Sequence, residues 1–211
     1  DTGLVIGSDA GGLTFRYRPY LQSTAFVSEA DPYFLWNHLR ALDQEGEYFY
    51  DIEGVSGPPH TLYLHAPGGT SPAGHRVEIK SREYSFDLNW SSNVHLRELE
   101  FLGGGIRCPV SSSHISMDDL VLRYCGSGLN SLWTGRAAIW IKGDGHKVLN
   151  SCIDSSYGGG LITLGTNTEL KNNVIRDCLL YGIASWESSH ATVHHNTTFG
   201  IGSENIHMYS P

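Results

Sequence analysis

Charge is scarce in this chain, and positive charge most of all. Only 17% of its 211 residues are charged, with 14 Lys and Arg against 22 Asp and Glu, a formal net charge of -8. Binding to phosphate requires a basic surface, so this balance excludes a nucleic-acid partner and an anionic membrane, and it weighs mildly against a strongly polyanionic sugar. Long apolar runs are also missing, so no membrane insertion is expected. Helical periodicity is nearly absent too. The single candidate is 32–42, where Phe34, Leu35, Leu39 and Leu42 recur near helical spacing behind Asp31 as N-cap and Pro32 at the first position. The four cysteines, Cys108, Cys125, Cys152 and Cys178, fit no Cys-x-x-Cys metal spacing. No metal and no cofactor are expected from the residues.

What the chain has is glycine, 25 of them, and a repeat. From about residue 84 onward it cycles through an apolar-x-apolar triplet, a Gly-rich loop, a second apolar stretch, an Asn or acidic turn and a third short apolar stretch. Aligning Leu96, Met117, Val148, Leu170 and Val193 as one inward position gives steps of 21, 31, 22 and 23 residues, and Phe101, Leu122, Ile153, Ile175 and Thr198 stand five residues after each. One coil alone is long, through an insertion around 126–136. A period of this length marks a stacked solenoid in which each coil buries its apolar side against its neighbours. The prediction is an all-β protein, a right-handed parallel β-helix over 81–211. Residues 1–80 form a β-rich lead-in that caps one end, with strands at Val5-Ile6, 13–17, 48–50 and 61–64. The chain starts at Asp1 and stops within a coil, so a fragment truncated at its C-terminal end is expected.

Within each coil the first strand is read at 86–88, 106–108, 139–141, 161–163, 183–185 and 206–208. In the turn column Leu99, Leu120, Ser151, Asn173 and Asn196, the last two resemble the inward asparagine ladder of pectate-lyase-like β-helices, which satisfies turn backbone groups. A second column, Asn93, His114, His146, Asn167 and His190, has His146 one residue out of register. Corner capping explains it better than metal binding, and the same holds for His194-His195. Cys125 and Cys178 share a column two coils apart, roughly 9.6 Å at a strand spacing of about 4.8 Å, too far for a disulfide. Arg97 with Asp118, and Arg123, Asp154 and Arg176, stack as charge ladders that neutralise a flank of a sheet.

Function is sought on the outer face of the first sheet. Its outward positions read Asp87, Arg107, Trp140, Ile162, Ala184 and His207 in one column, and Asn89, Pro109, Lys142, Leu164, Trp186 and Tyr209 beside it. Pyranose faces stack on indoles while polar groups read hydroxyls, so Trp140, Trp186, His207 and Tyr209 are the candidate sugar-binding residues, joined by Trp133 from the insertion. The alternative is that Trp140 and Trp186 pack under other parts of the chain. Asp87, Asp144 and Glu187 are the candidate carboxylates for hydrolysis, with Lys142, Arg107 and His207 the candidates for lyase chemistry.

The lead-in carries a resemblance. Its 46–51 stretch Gly-Glu-Tyr-Phe-Tyr-Asp, the 61–69 stretch Thr-Leu-Tyr-Leu-His-Ala-Pro-Gly-Gly read as a hairpin, the 75–79 stretch His-Arg-Val-Glu-Ile read as a strand, and the following 82–88 stretch Arg-Glu-Tyr-Ser-Phe-Asp-Leu resemble secreted bacterial right-handed β-helix proteins of the pectin-lyase-like fold. Similar lead-ins precede the helix in several β-helix glycoside hydrolases. The resemblance covers roughly 35–211 and implies architecture, not a catalytic motif: no Asp-Asp pair stands on a first strand as in polygalacturonases, and no calcium-binding Asp cluster is there. It implies an extracellular or periplasmic, carbohydrate-active monomer acting on a polysaccharide or oligosaccharide. A glycoside hydrolase is favoured slightly over a polysaccharide lyase on net charge, and a non-catalytic surface or sugar-binding module is the alternative class, because this fold hosts all three.

Overall fold

The computed structural model describes residues 38–80, 82–126 and 137–209, together with the backbone of 3–9 and 12–17. The chain divides into two compact units, 1–79 and 80–211. Among the described residues no helix is long and apolar enough to cross a membrane.

In the first unit, Gly3–Asp9 pairs antiparallel with Gly12–Tyr17, and Tyr48–Asp51 pairs antiparallel with Thr61–Leu64. The four strands of the lead-in therefore lie where alternation placed them, although 61–64 partners 48–51 instead of opening a hairpin of its own. No strand forms at 75–79. Of the helical candidate, 32–37 lie outside the described residues. The rest is a single 3-10 turn at Leu39–Ala41, capped by His38 Nδ1, which accepts from the Arg40 N–H at 3.1 Å. Asp51 is buried and accepts from the N–H groups of Gly54, Val55 and Ser56, which together hold its carboxyl below the usual range against the opposing effect of its burial.

The second unit is a parallel β-solenoid of about five turns built from three sheets. The first has six strands, Tyr84–Asp87, Gly105–Cys108, Ala137–Ile141, Gly159–Thr163, Ile183–Trp186 and Ile206–Tyr209. The second and third sheets have five strands each, from His95–Arg97 to Thr192–His194 and from Glu100–Leu102 to Thr197–Phe199. Register follows the sequence columns without a slip: Leu96, Met117, Val148, Leu170 and Val193 pair in succession, as do Phe101, Leu122, Ile153, Ile175 and Thr198. Leu96, Met117, Val148, Leu170, Phe101, Leu122, Ile153 and Ile175 form one continuous buried core with Ile106, Ile139, Leu161 and Ile183, and the partly buried Val193 packs against it. Each such side chain contributes roughly 1.5–3 kcal/mol by leaving water.

Three corners per coil join the strands, and each has a residue of positive φ at a position that recurs from coil to coil; Trp90, Glu187 and Gly126 add a second one to their corners. The first uses Asn93, His114, Gly145, Asn167 and His190, the second Glu98, Asp119, Asn150, Asn172 and His195, the third Gly103, Tyr124, Ser155, Asp177 and Gly200. Left-handed backbone favours Gly, and Asn over most other residues, which accounts for the Asn-rich corners. In the third coil Gly145 takes the corner. His146, the next residue, is thereby turned inward into the column of Val94 and Ile115, and is fully buried.

Inside the second corner the polar ladder is complete over three coils. The Leu120 N–H donates to Ser151 Oγ at 3.1 Å, the Ser151 N–H to Asn173 Oδ1 at 3.0 Å, and the Asn173 N–H to Asn196 Oδ1 at 2.9 Å. The amides of Asn173 and Asn196 donate in turn to the carbonyls of Val148 and Leu170. On the flank of the third sheet Asp154 pairs with Arg176 at 2.7 Å, while Arg123 turns back to Glu100 at 2.9 Å. Arg97 reaches Asp118 at 3.9 Å.

All four cysteines are free, and all but Cys152 are buried. Burial pushes the Cys108 thiol up to about 12 and those of Cys125 and Cys178 to about 11. These three, Cys108, Cys125 and Cys178, fill space as small apolar residues and are not nucleophiles at neutral pH.

Candidate functional site

Strand alternation in the first sheet sends Ile106, Ile139, Leu161 and Ile183 inward, which fixes the residue after each of them outward. The pairing Asp87–Arg107–Trp140–Ile162–Ala184–His207 runs unbroken across six strands as one outward column. Its two ends are about 24 Å apart at a strand spacing of about 4.8 Å.

At one end Asp87 and Arg107 form an ion pair at 3.0 Å, with both side chains partly exposed. The guanidinium lies 5.5 Å from the centroid of Trp140 and 5.9 Å from that of Tyr84, so its position is set by two ring faces and a carboxylate. Burial first, and the acidity of Glu83 next, push the Tyr84 phenol up to about 12.

The middle of the column is apolar and closed. Ala137, Trp140, Ile162 and Ala184 form a second buried cluster outside the solenoid core, against which Leu164, Tyr181 and Trp186 pack. Trp140 is only 8% exposed, where a stacking platform needs an open ring face, and its Nε1–H has no hydrogen-bond partner among the described residues.

The other end holds the densest cluster on this face. Trp186 meets Tyr181 edge-on at 5.3 Å and His207 at 6.0 Å, and the Tyr181 and His207 rings lie 5.5 Å apart. His207 Nδ1 pairs with the Glu204 carboxylate. Burial, and then the nearby Glu204, raise the Tyr181 phenol above its ordinary value. Tyr209 pairs with Trp186 in the ladder and is exposed. The structure thus brings together Trp186, His207 and Tyr209, and adds Tyr181 and Glu204, which the sequence reading missed. A signal for them existed. The column two residues before each inward strand position reads Gly104, Ala137, Gly159, then Tyr181 and Glu204, so small side chains give way to large polar ones in the last two coils.

The remaining candidates are dispersed. Lys142 is exposed beside Trp140 in sequence. Asp144 lies in the corner column Ser92–Ser113–Asp144–Thr166–Ser189 and accepts from Thr166 Oγ1 at 2.5 Å and Asn167 Nδ2 at 2.8 Å. Those two bonds hold its carboxyl below the usual range, so it stays ionised and is a poor proton donor. Glu187 is exposed at a positive-φ corner, its backbone N–H bonded to the Tyr209 carbonyl. Asp87, Asp144 and Glu187 belong to the first, third and fifth coils, so no two stand on adjacent coils. Trp133 lies outside the described residues, as does most of the insertion.

One buried set has the composition of a nucleophilic triad: Ser112 Oγ is 3.1 Å from His146 Nε2, with Asp144 nearby. Its hydrogen bonds exclude that role. The Ile115 N–H donates to His146 Nδ1, so the ring proton sits on Nε2 and donates to Ser112, whose own hydroxyl donates to the Pro109 carbonyl at 2.6 Å. The imidazole has no lone pair left for the serine, and both residues are sealed from solvent.

Among the described residues no three His, Cys, Asp or Glu side chains cluster as metal ligands do. Comparison with protein-family models, with curated proteins and with solved structures finds no match.

Proposed function

We propose that this chain is an extracellular saccharide-recognising β-helix protein whose sugar-contacting surface is the end of the first sheet's outer face formed by Tyr181, Trp186, His207, Glu204 and Tyr209. The observation that carries this reading is the packing of Trp186 between Tyr181 and His207 with a carboxylate attached to the imidazole. An indole held by its neighbours offers a ring surface at low entropic cost, and Glu204, His207 and the Tyr181 phenol provide acceptors and donors for ring hydroxyls.

A second reading, cleavage of the bound glycan, is favoured by the same Glu204–His207 pair. A carboxylate on Nδ1 orients an imidazole and leaves Nε2 to take a proton, as a general base must. Against a lyase stands the position of Arg107, four coils away and already engaged by Asp87. Against a retaining hydrolase stands the dispersal of Asp87, Asp144 and Glu187, since two carboxyl groups must lie about 5 Å apart.

The test is incubation with a polysaccharide panel, following binding, reducing ends and unsaturated-uronate absorbance together. Binding that Trp186→Ala abolishes, without new ends or absorbance, supports the recognition module. Turnover lost in His207→Ala supports the enzyme. Absence of both binding and turnover across the panel overturns the proposal.

A further inference from the structure

A further surface lies at the third corner of the coils, where the third sheet turns back to the first. An open groove of about 480 Å³ is lined there by Tyr124, Ser155, Tyr157, Asp177, Leu179 and the two glycines Gly200 and Gly202, over a floor of Ser156 and Cys178. Tyr124, Tyr157 and Leu179 are 63%, 57% and 54% exposed, although a solvated corner has no need of three large apolar side chains in one place.

The groove is rigid. Its floor continues the coil-to-coil ladder beyond the strands, with N–H to carbonyl bonds from Tyr157 to Cys125 at 3.1 Å, Leu179 to Ser156 at 3.1 Å and Gly202 to Cys178 at 2.9 Å. Ser156 Oγ pins it further by donating to the carbonyls of Cys125 or Gly159 at 2.9 and 2.8 Å. At the far end the coils pack closely: a Cβ at Gly200 would meet the Asp177 carboxylate and one at Gly202 the Leu179 carbonyl, so both positions require glycine.

The lining selects a chemistry. Among the described residues its lining holds no cation and one charge, the Asp177 carboxylate, so an anionic ligand is disfavoured. Its apolar surface is supplied largely by two phenol rings, which take the C–H faces of sugar rings, while their hydroxyls, Ser155 and Asp177 exchange hydrogen bonds with hydroxyl groups. The groove is shallow and runs across four coils, about 14 Å from first to last, which suits an extended ligand. We infer that this corner is a binding site for a neutral oligosaccharide, with a lining that shares no residue with the first-sheet face.

The experiment is calorimetric titration of the whole chain with neutral oligosaccharides of glucose, xylose, mannose and galactose, and with oligogalacturonate as the anionic control. Three proteins are compared: the parent, Tyr124→Ala/Tyr157→Ala and Trp186→Ala. The tyrosines are exposed, so an unchanged thermal midpoint certifies that the double variant is folded. Expected is a neutral-sugar site whose affinity falls at least about tenfold in the double variant, a change of about 1.4 kcal/mol, and is unchanged in Trp186→Ala. Binding lost only in Trp186→Ala overturns the corner site and leaves the first-sheet reading standing. Binding lost only in the tyrosine variant does the reverse. Preference for oligogalacturonate at the corner, or no sugar bound at all, overturns this inference.

Discussion

His146 and Ile115 occupy the same inward column of consecutive coils, and the Ile115 backbone N–H donates to His146 Nδ1 at 3.1 Å. An imidazole thus stands where neighbouring coils place Val94 and Ile115, accepting one hydrogen bond and giving another to Ser112. Burial pulls its pKa down to about 4, outweighing the attraction of Asp144. The folded state therefore holds this histidine neutral over a range in which the unfolded chain, at about 6.5, is already protonated.

The consequence is acid lability. Between pH 6.5 and 4 the unfolded state binds the extra proton, so stability is full above about 6.5 and falls as pH drops through that window, by up to about 3 kcal/mol. Urea midpoints measured from pH 7 to 4 should decline in the parent, and the His146→Gln variant, whose side chain can accept from Ile115 without titrating, should show a shallower decline. Equal slopes would mean that other groups govern the acid limb.

Asn173 is the best-connected member of the polar ladder. It accepts from the Ser151 N–H and donates to both the Val148 carbonyl and Asn196 Oδ1, and it is buried. Asn173→Leu would strand two buried backbone groups, at about 1–3 kcal/mol each, so a loss of roughly 2–5 kcal/mol is expected by denaturant titration. Asn196→Leu, at a half-exposed site, should cost less.

Gly160 tests the tightness of the core. A methyl group there would come within 2.4 Å of Ile175 Cγ2 and 2.8 Å of the Gly182 carbonyl, and the backbone member of that pair cannot move without shifting the ladder. Gly160→Ala should destabilise by about 1–3 kcal/mol or more through overpacking. A thermal midpoint equal to the parent's would show that the coils separate more readily than the register implies.

The solenoid was legible because its columns repeat: one alignment on Leu96, Met117, Val148, Leu170 and Val193 fixed every later strand, and the polar turn column was readable from Ser151, Asn173 and Asn196. The reading failed where the signal was one of backbone conformation. Asn93, His114, Asn167 and His190 are corner residues of positive φ, and aligning His146 with them hid both Gly145 as the true corner and the burial of His146. At the site, alternation placed the outward column correctly but carries no information on how side chains lean along a sheet, so the aromatic contacts of Trp186 and the approach of Glu204 to His207 came only with coordinates. The 75–79 stretch shows the opposite limit: it reads as a strand, yet none of the described residues pairs with it and no strand forms.

Trp140 and Trp186, assigned one role by their outward positions, should now separate experimentally. Trp140 is buried among Ala137, Ile162 and Ala184 with the Arg107 guanidinium against its ring, so truncation leaves a cavity and removes one of the two rings against that cation. Trp140→Ala should cost about 3–5 kcal/mol of stability. Trp186 is half-buried at the edge of the same cluster, so Trp186→Ala should cost less stability, while sugar affinity at the first-sheet face falls about tenfold, equivalent to about 1.4 kcal/mol. Chemical denaturation and calorimetric sugar titration of the two variants give the comparison. If Trp140→Ala left stability intact and removed sugar binding, the closed apolar middle of the face would have to open in solution, and the contact surface would extend from His207 back toward Arg107.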